Sequence, residues 1–229
     1  MKLSKVMRVS WLLPLAWIDA LRCRKQPFER KYQKLQSWSN RVIKQLGYEL
    51  IVAGQENIPL DSAVFFVSNH QGTLDPALIV ASCPIPMTFI SKTENIKLPV
   101  FGSWIKTIEV ILFDREERAS NIYMLREAAR NLKAGRSLLI FPEGTRSKGT
   151  KMNEFKVGAT QPAYLAKSII VPITLNNAFC IDGGQDRSNK LGITYGNPLS
   201  YEEYKNYNQE EISLYLHQII ESNIDEWAQ

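Results

Sequence analysis

"SAVFFVSNHQGTLDPALIVAS", residues 62–82, passes from one kind of structure to another within a short span. The run Ala63–Val67 is apolar without alternation, as expected of a strand buried on both faces of a helix-covered sheet. Polar residues and a glycine follow, from Ser68 to Thr73. Asp75-Pro76 then opens "ALIVAS", with proline at the first helical position, where its missing N–H removes nothing. The stretch therefore reads strand, polar turn, helix. That turn holds His70, one of only two histidines in the chain, with Asp75 five residues on.

The same alternation runs through the chain. Tyr32, Leu35, Trp38, Val42 and Leu46 recur at spacings of three and four, which predicts an amphipathic helix over 28–46 ended by Gly47. Strands are expected at 48–54, 87–91, 109–113, 137–141, 169–175 (with Pro172 inside it) and 191–196. Helices are expected at 98–108, 121–134, 158–167 and 210–228. In the helix over 121–134, Ser120 is the expected cap and Ile122, Leu125, Ala129 and Leu132 the apolar face. Apolar strands alternating with helices define an α/β fold, a single domain with a largely parallel or mixed central sheet flanked by helices. An N-terminal amphipathic helical segment, residues 1–46, precedes the main domain, residues 47–229.

The net charge of +5 is unevenly placed. Residues 1–34 hold nine Lys/Arg against Asp19 and Glu29, a balance of +7, so the other 195 residues stand at −2. This basicity flanks "WLLPLAWIDAL" (11–21), an apolar run too short for the roughly 20 residues that span a bilayer. A cleaved signal peptide would need small residues where Asp19 and "RCRK" stand. A core helix with a solvated basic edge is the plainer alternative. The pattern favours an interfacial anchor, with Trp11 and Trp17 at headgroup level and Lys/Arg on anionic lipid. That makes the protein peripheral or monotopic, with the cytoplasmic face expected. Pro14 would kink one helix here or begin a second. Cys23, Cys83 and Cys180 form no CxxC spacing, so neither a zinc site nor a disulfide framework is expected and a reducing compartment fits. No nucleic-acid-binding motif accompanies the basic residues.

Three polar clusters follow buried strands, where α/β sheets build their sites. His70 suits a general base near neutral pH, and a carboxylate on one ring nitrogen would fix its tautomer. Asn69 and Thr73 could tie down the turn. For an isolated HxxxxD spacing, a contact that caps the next helix through Asp75 is the simpler reading. "FPEGTRS" (141–147) offers backbone N–H groups and the Arg146 fork for an anion, or is a polar turn and nothing more. "FDREER" (113–118) puts Arg115 after a strand, although such runs commonly mark a solvated face. Lys92 and Lys148 are further candidate cations. Neither a GxSxG elbow nor a GxxxxGK[ST] loop is present, so a serine nucleophile and nucleotide hydrolysis are unsupported. With His217 the only other histidine, no metal site is expected.

In order and spacing these clusters resemble the glycerolipid acyltransferase family. Its NHxxxxD block matches Asn69 to Asp75. Its block of a glycine, apolar residues and a terminal arginine matches Gly102 through "VILFDR" to Arg115. FPEGTRS is complete, and an apolar stretch around a proline matches "IIVPITL" with Pro172. The resemblance implies transfer of a fatty acyl group from acyl-CoA or acyl carrier protein to a lysophospholipid hydroxyl, with no other cofactor. Lysophosphatidic acid is the expected acceptor, giving phosphatidic acid. Glycerol 3-phosphate, another lysophospholipid or a lyso-aminolipid would keep the chemistry, and a non-catalytic lipid-binding protein is the rival from another class. It further implies His70 as general base and Asp75 as its orienting partner. Arg115, Glu143, Gly144, Thr145 and Arg146 would bind phosphate and glycerol, Pro172 would shape an acyl pocket, and the Gly144 N–H would face the oxyanion.

Overall fold

The structure, a computed structural model, describes residues 7–114, 116–183 and 189–227. The chain runs α1 (Leu12–Cys23), α2 (Phe28–Leu46), β1 (Glu49–Ala53), β2 (Val64–Ser68), α3 (Asp75–Ser82), β3 (Met87–Lys92), α4 (Phe101–Thr107) and β4 (Ile111–Phe113). It continues through α5 (Arg118–Lys133), β5 (Ser137–Ile140), α6 (Gln161–Ala166), β6 (Ile169–Asn176), β7 (Lys190–Tyr195), α7 (Tyr201–Tyr204) and α8 (Gln209–Trp227). The strands make one sheet in the order β1-β7-β6-β2-β5-β3-β4. All pairs are parallel except β6 with β7. Strands β2 to β6 therefore end at one edge of the sheet, which is where the polar clusters fall.

β2 shows why the fold closes as it does. Every residue from Val64 to Ser68 is buried, because neighbours cover both faces. Val64 and Phe66 point to a core shared with α1 to α4, and Phe65 and Val67 to one shared with α5, α6 and α8. Each fully buried aromatic or aliphatic side chain here contributes about 1.5–3 kcal/mol. The N-terminal helices belong to the first of these cores, through Leu12, Ala16, Ala20, Tyr32, Trp38 and Ile43.

Pro172 sits in the middle of the sheet, opposite Val67 of β2. A strand accepts proline where a ladder donor is already missing. The β6–β7 register ends at Ile173 opposite Tyr195, and the next N–H, of Gly196, reaches the Pro172 carbonyl at 2.8 Å. Gly102, in α4, is required by crowding, for a Cβ there would lie 2.0 Å from the Ile96 carbonyl oxygen.

Two local readings need correction. Helix α5 begins at Arg118, and Ser120 does not cap it; its hydroxyl accepts the Asp114 N–H at 2.8 Å. The buried face of α5 is Met124, Ala128, Ala129 and Leu132, while Ile122 lies exposed beside Tyr123. The earlier start leaves the period unchanged, but the sheet decides which stripe is covered, and the 124-128-132 stripe wins.

At the N-terminus α1 begins at Leu12, after a short helical turn, so Pro14 stands in a first turn, where it is tolerated. Leu12, Ala16, Ala20 and Cys23 face the body. Trp11 and Trp17 remain 58% and 47% exposed, with Leu13, Leu15, Ile18 and Leu21 around them. Asp19 accepts the Trp38 indole N–H at 3.1 Å, which explains an acid in so apolar a helix. Some of the basic residues are spent internally: Lys31 is buried against Glu109 at 2.8 Å, and Arg136 reaches the other oxygen of Glu109 at 2.6 Å. Arg22, Arg24 and Lys25 stay exposed. No helix among the described residues is long and apolar enough to cross a membrane.

Candidate active site

Val67 pairs with Ile140, so His70 and Glu143 each stand three residues beyond a matched pair. The level placement is used: Glu143 Oε1 accepts the His70 backbone N–H at 2.6 Å. Ser147, at the far end of the same turn, donates its N–H to the His70 carbonyl at 2.7 Å. The histidine backbone is thus held from both sides by residues 143–147. Asn69 locks the other flank, trading hydrogen bonds of 3.0 and 2.7 Å with the Leu175 carbonyl and N–H of β6.

The His70 ring bonds Asp75 through Nδ1 at 2.7 Å and stacks on Phe141 with centroids 4.3 Å apart. Asp75 is wholly buried. Its carboxylate turns back from the helix whose first residue it is, and accepts the N–H groups of Gln71 at 2.6 Å and Gly72 at 2.9 Å. The contact to His70 expected of Asp75 is present, whereas the alternative of a helix cap is not: Leu74 is the N-cap of α3, with no side-chain bond, and Asp75 also braces the loop. Burial pushes the Asp75 carboxyl above the ordinary carboxylate range, opposed by the bonds from His70, Gly72 and Gln71. With Nδ1–H donated to Asp75, Nε2 is the ring nitrogen left to take a proton.

Glu143 is 1% exposed and both of its oxygens are occupied. Oε2 accepts the N–H and the side-chain NH₂ of Asn153, each at 2.8 Å. Burial raises its carboxyl too, against the bonds from His70 and Asn153. Sequence reasoning placed Glu143 on substrate, whereas here it is a strut between the histidine and the 148–158 segment. The Gly144 N–H closes its own turn onto the Phe141 carbonyl at 3.0 Å, so the donor expected to face an oxyanion is taken.

Beside His70 opens a cleft of about 660 Å³. Gly144, Thr145, Arg146, Lys92 and Asn121 supply polar lining, and Ile90, Phe113, Met124 and Ile140 apolar lining. Lys156 also reaches it. Pro172 does not line the cleft: buried between β2 and the end of β7, it shapes the sheet. Arg115 lies outside the described residues. His217 is not among the residues lining the cleft and packs edge-on against Phe155 at 5.0 Å.

Three residues at or beside the site went unnoticed in the sequence: Asn153, which holds Glu143, Lys156, which lines the cleft, and Asp182, which holds Thr73. Gly72 shows how close Asp182 comes, for a Cβ there would lie 2.9 Å from the Ala178 carbonyl oxygen and 3.3 Å from Asp182 Oδ2. A buried carboxylate such as Glu143 demands donors, and that demand was the one available signal for Asn153.

A His–Asp pair with an open base nitrogen, at the polar mouth of an apolar cleft, defines an α/β site able to deprotonate a hydroxyl beside a hydrophobic chain. Comparison with known proteins gives this class its family. The acyltransferase family matches residues 49–176. A 1-acyl-sn-glycerol-3-phosphate acyltransferase of Borreliella burgdorferi is 32% identical over 131 residues, 57% of this chain and 52% of that one. One of Helicobacter pylori is 30% identical over 169 residues, covering 69% and 71%. The crystal structure of the 1-acyl-sn-glycerophosphate (LPA) acyltransferase of Thermotoga maritima superposes with a TM-score of 0.79 at 22% identity, over 99% and 95% of the two chains. The chain belongs to the acyltransferase family. The match spans about half or less of several curated relatives, 52% of the Borreliella protein and 42% of a chloroplast enzyme of Arabidopsis thaliana.

Proposed function

We propose that this protein transfers a fatty acyl group from an acyl thioester, acyl-CoA or acyl carrier protein, to the free hydroxyl of lysophosphatidic acid, giving phosphatidic acid. The observation that carries the reading is the buried Asp75 on His70 Nδ1 at 2.7 Å, beside a cleft that is apolar within and cationic at its rim. The relatives' names point to the same acceptor.

In this reading Nε2 of His70 takes the proton of the acceptor hydroxyl as its oxygen attacks the thioester carbonyl. Asp75 stabilises the imidazolium that forms. The tetrahedral intermediate collapses, the C–S bond breaks, and the departing thiolate takes the proton back from Nε2. No acyl-enzyme is needed. Arg146 and Lys92 meet the acceptor's phosphate, and the interior formed by Ile90, Phe113 and Met124 takes an acyl chain. The exposed Trp11–Leu15–Trp17 face, flanked by Arg22, Arg24 and Lys25, lies in the headgroup region of an anionic membrane, where such an acceptor resides.

The test is His70→Ala, assayed by thiol release with lysophosphatidic acid in mixed micelles and both donor types tried in parallel. Turnover should vanish while far-UV circular dichroism and vesicle binding stay intact. Substantial remaining activity would refute the base assignment.

A further inference from the structure

We propose that Asp182 is a positioning residue that holds Arg146 ready for the acceptor's phosphate, acting through Thr73. The inference rests on the reading of Arg146 given above. Asp182 ends the 3₁₀ turn Ala178–Asp182, six residues past the end of the family match. Its Oδ2 accepts the Thr73 N–H at 2.7 Å and the Thr73 hydroxyl at 2.9 Å. Arg146 Nη1 in turn donates to that hydroxyl oxygen, and lies 3.8 Å from Asp182 Oδ2. A hydroxyl has one proton to give and lone pairs to accept with, so the carboxylate fixes its direction. With its proton committed to Asp182, Thr73 Oγ1 must present a lone pair to the guanidinium.

This relay has a rigid base. The Ala178 N–H donates to Gln71 Oε1 at 3.0 Å, and Gly72 leaves no room for a Cβ between the two turns. Asp182 is thereby fixed relative to the His70–Asp75 pair, while Arg146 is a half-exposed side chain on a loop. Tethering Nη1 alone leaves Nη2 and Nε to grip a phosphate in the two-pronged geometry that guanidinium favours. Holding the fork before the ligand arrives removes part of the ordering cost of binding.

Two substitutions separate this role from plain structure. Asp182→Ala cuts the relay and should raise the KM for lysophosphatidic acid roughly tenfold, with kcat and the donor KM within about threefold of wild type. Asp182→Asn keeps an oxygen for the Thr73 donors and should restore most of the acceptor KM. Because Asp182 acts through Arg146, adding Asp182→Ala to Arg146→Ala should change nothing further. Additive effects in that cycle, an unchanged acceptor KM in Asp182→Ala, or a fall in kcat alone would overturn the proposal. An Arg146→Ala enzyme with normal acceptor KM would refute the phosphate role of Arg146 and this inference with it. An effect of Arg146→Ala without one of Asp182→Ala would refute the inference alone. Urea unfolding of each variant checks that the comparison is made between folded proteins.

Discussion

Asp75→Asn puts the dyad to its sharpest test, because it removes a charge and leaves the shape. In the wild type Oδ2 accepts from His70 Nδ1, Gln71 N and Gly72 N, and Oδ1 accepts a second, longer contact of 3.0 Å from Gly72. An asparagine oxygen placed at Oδ2 keeps the three stronger contacts and turns its NH₂ toward Gly72. The opposite flip would set an NH₂ against three donors, so the first orientation is preferred and His70 keeps its tautomer. What is lost is then mainly the charge opposite the developing imidazolium. At 2.7 Å and an effective dielectric constant of about 20, a full pair of charges interacts by about 6 kcal/mol. With the proton about half transferred in the transition state, about 3 kcal/mol is forfeited, close to a 100-fold loss in kcat. Stability should fall by only about 1–2 kcal/mol, since one weak contact becomes donor against donor. Steady-state thiol release at saturating acceptor measures kcat, and urea unfolding measures the stability change. Activity within about threefold of wild type would show that Asp75 braces the loop without assisting proton transfer. Equal collapse of kcat and fold would show the reverse error, a structural residue mistaken for a positioning one.

The N-terminal face gives a second prediction: Trp11→Glu with Trp17→Glu should leave the fold intact, as both rings are largely exposed, yet cut co-sedimentation with anionic vesicles by at least about tenfold. Unchanged vesicle binding would move the membrane contact elsewhere. The third concerns Glu109, whose carboxyl is held below its ordinary value by the hydrogen bond from Lys31 and then by Arg136. A depressed carboxylate adds stability above its unfolded pKa and loses it as the pH falls through the folded one. Glu109→Gln should therefore cost about 1–2 kcal/mol at pH 7, discounted for the half-exposed Glu109. That difference should shrink toward zero as the pH drops below the usual carboxylate range, read from urea midpoints, and a gap that persisted in acid would rule out the ion pairs as its source.

What the sequence disclosed and what it hid divide along one physical line. Strand β2, helix α2 and the polar turn after Val67 were legible, because apolar runs and three-four spacing are local signals written within a few residues. The pairing of Asp75 with His70 was expected, but spacing alone could not say whether its carboxylate also faces the helix after it or the loop before it. The loop wins here because His70, Gln71 and Gly72 offer three donors to one buried acceptor. The stripe of α5 was right at Ala129 and Leu132 and wrong at its start, as both Ile122 and Met124 satisfy a helical period and only the sheet chooses between them. Asp182 meets Thr73 across 109 residues, a separation over which no local pattern carries information.

The block 141–147 shows why a motif read as one group conceals two jobs. Glu143 and Arg146 stand three residues apart, yet the first is buried with both oxygens taken and the second is 42% exposed and held through Nη1 by Thr73. Glu143 can serve the histidine only because Val67 and Ile140 are partners across β2 and β5. A slip of one residue in that pairing would move Glu143 by about 3.3 Å and turn it to the other face, leaving the His70 N–H without its acceptor. The register of two buried apolar strands, set by packing of Phe65, Val67, Leu138 and Ile140, therefore fixes where the base stands.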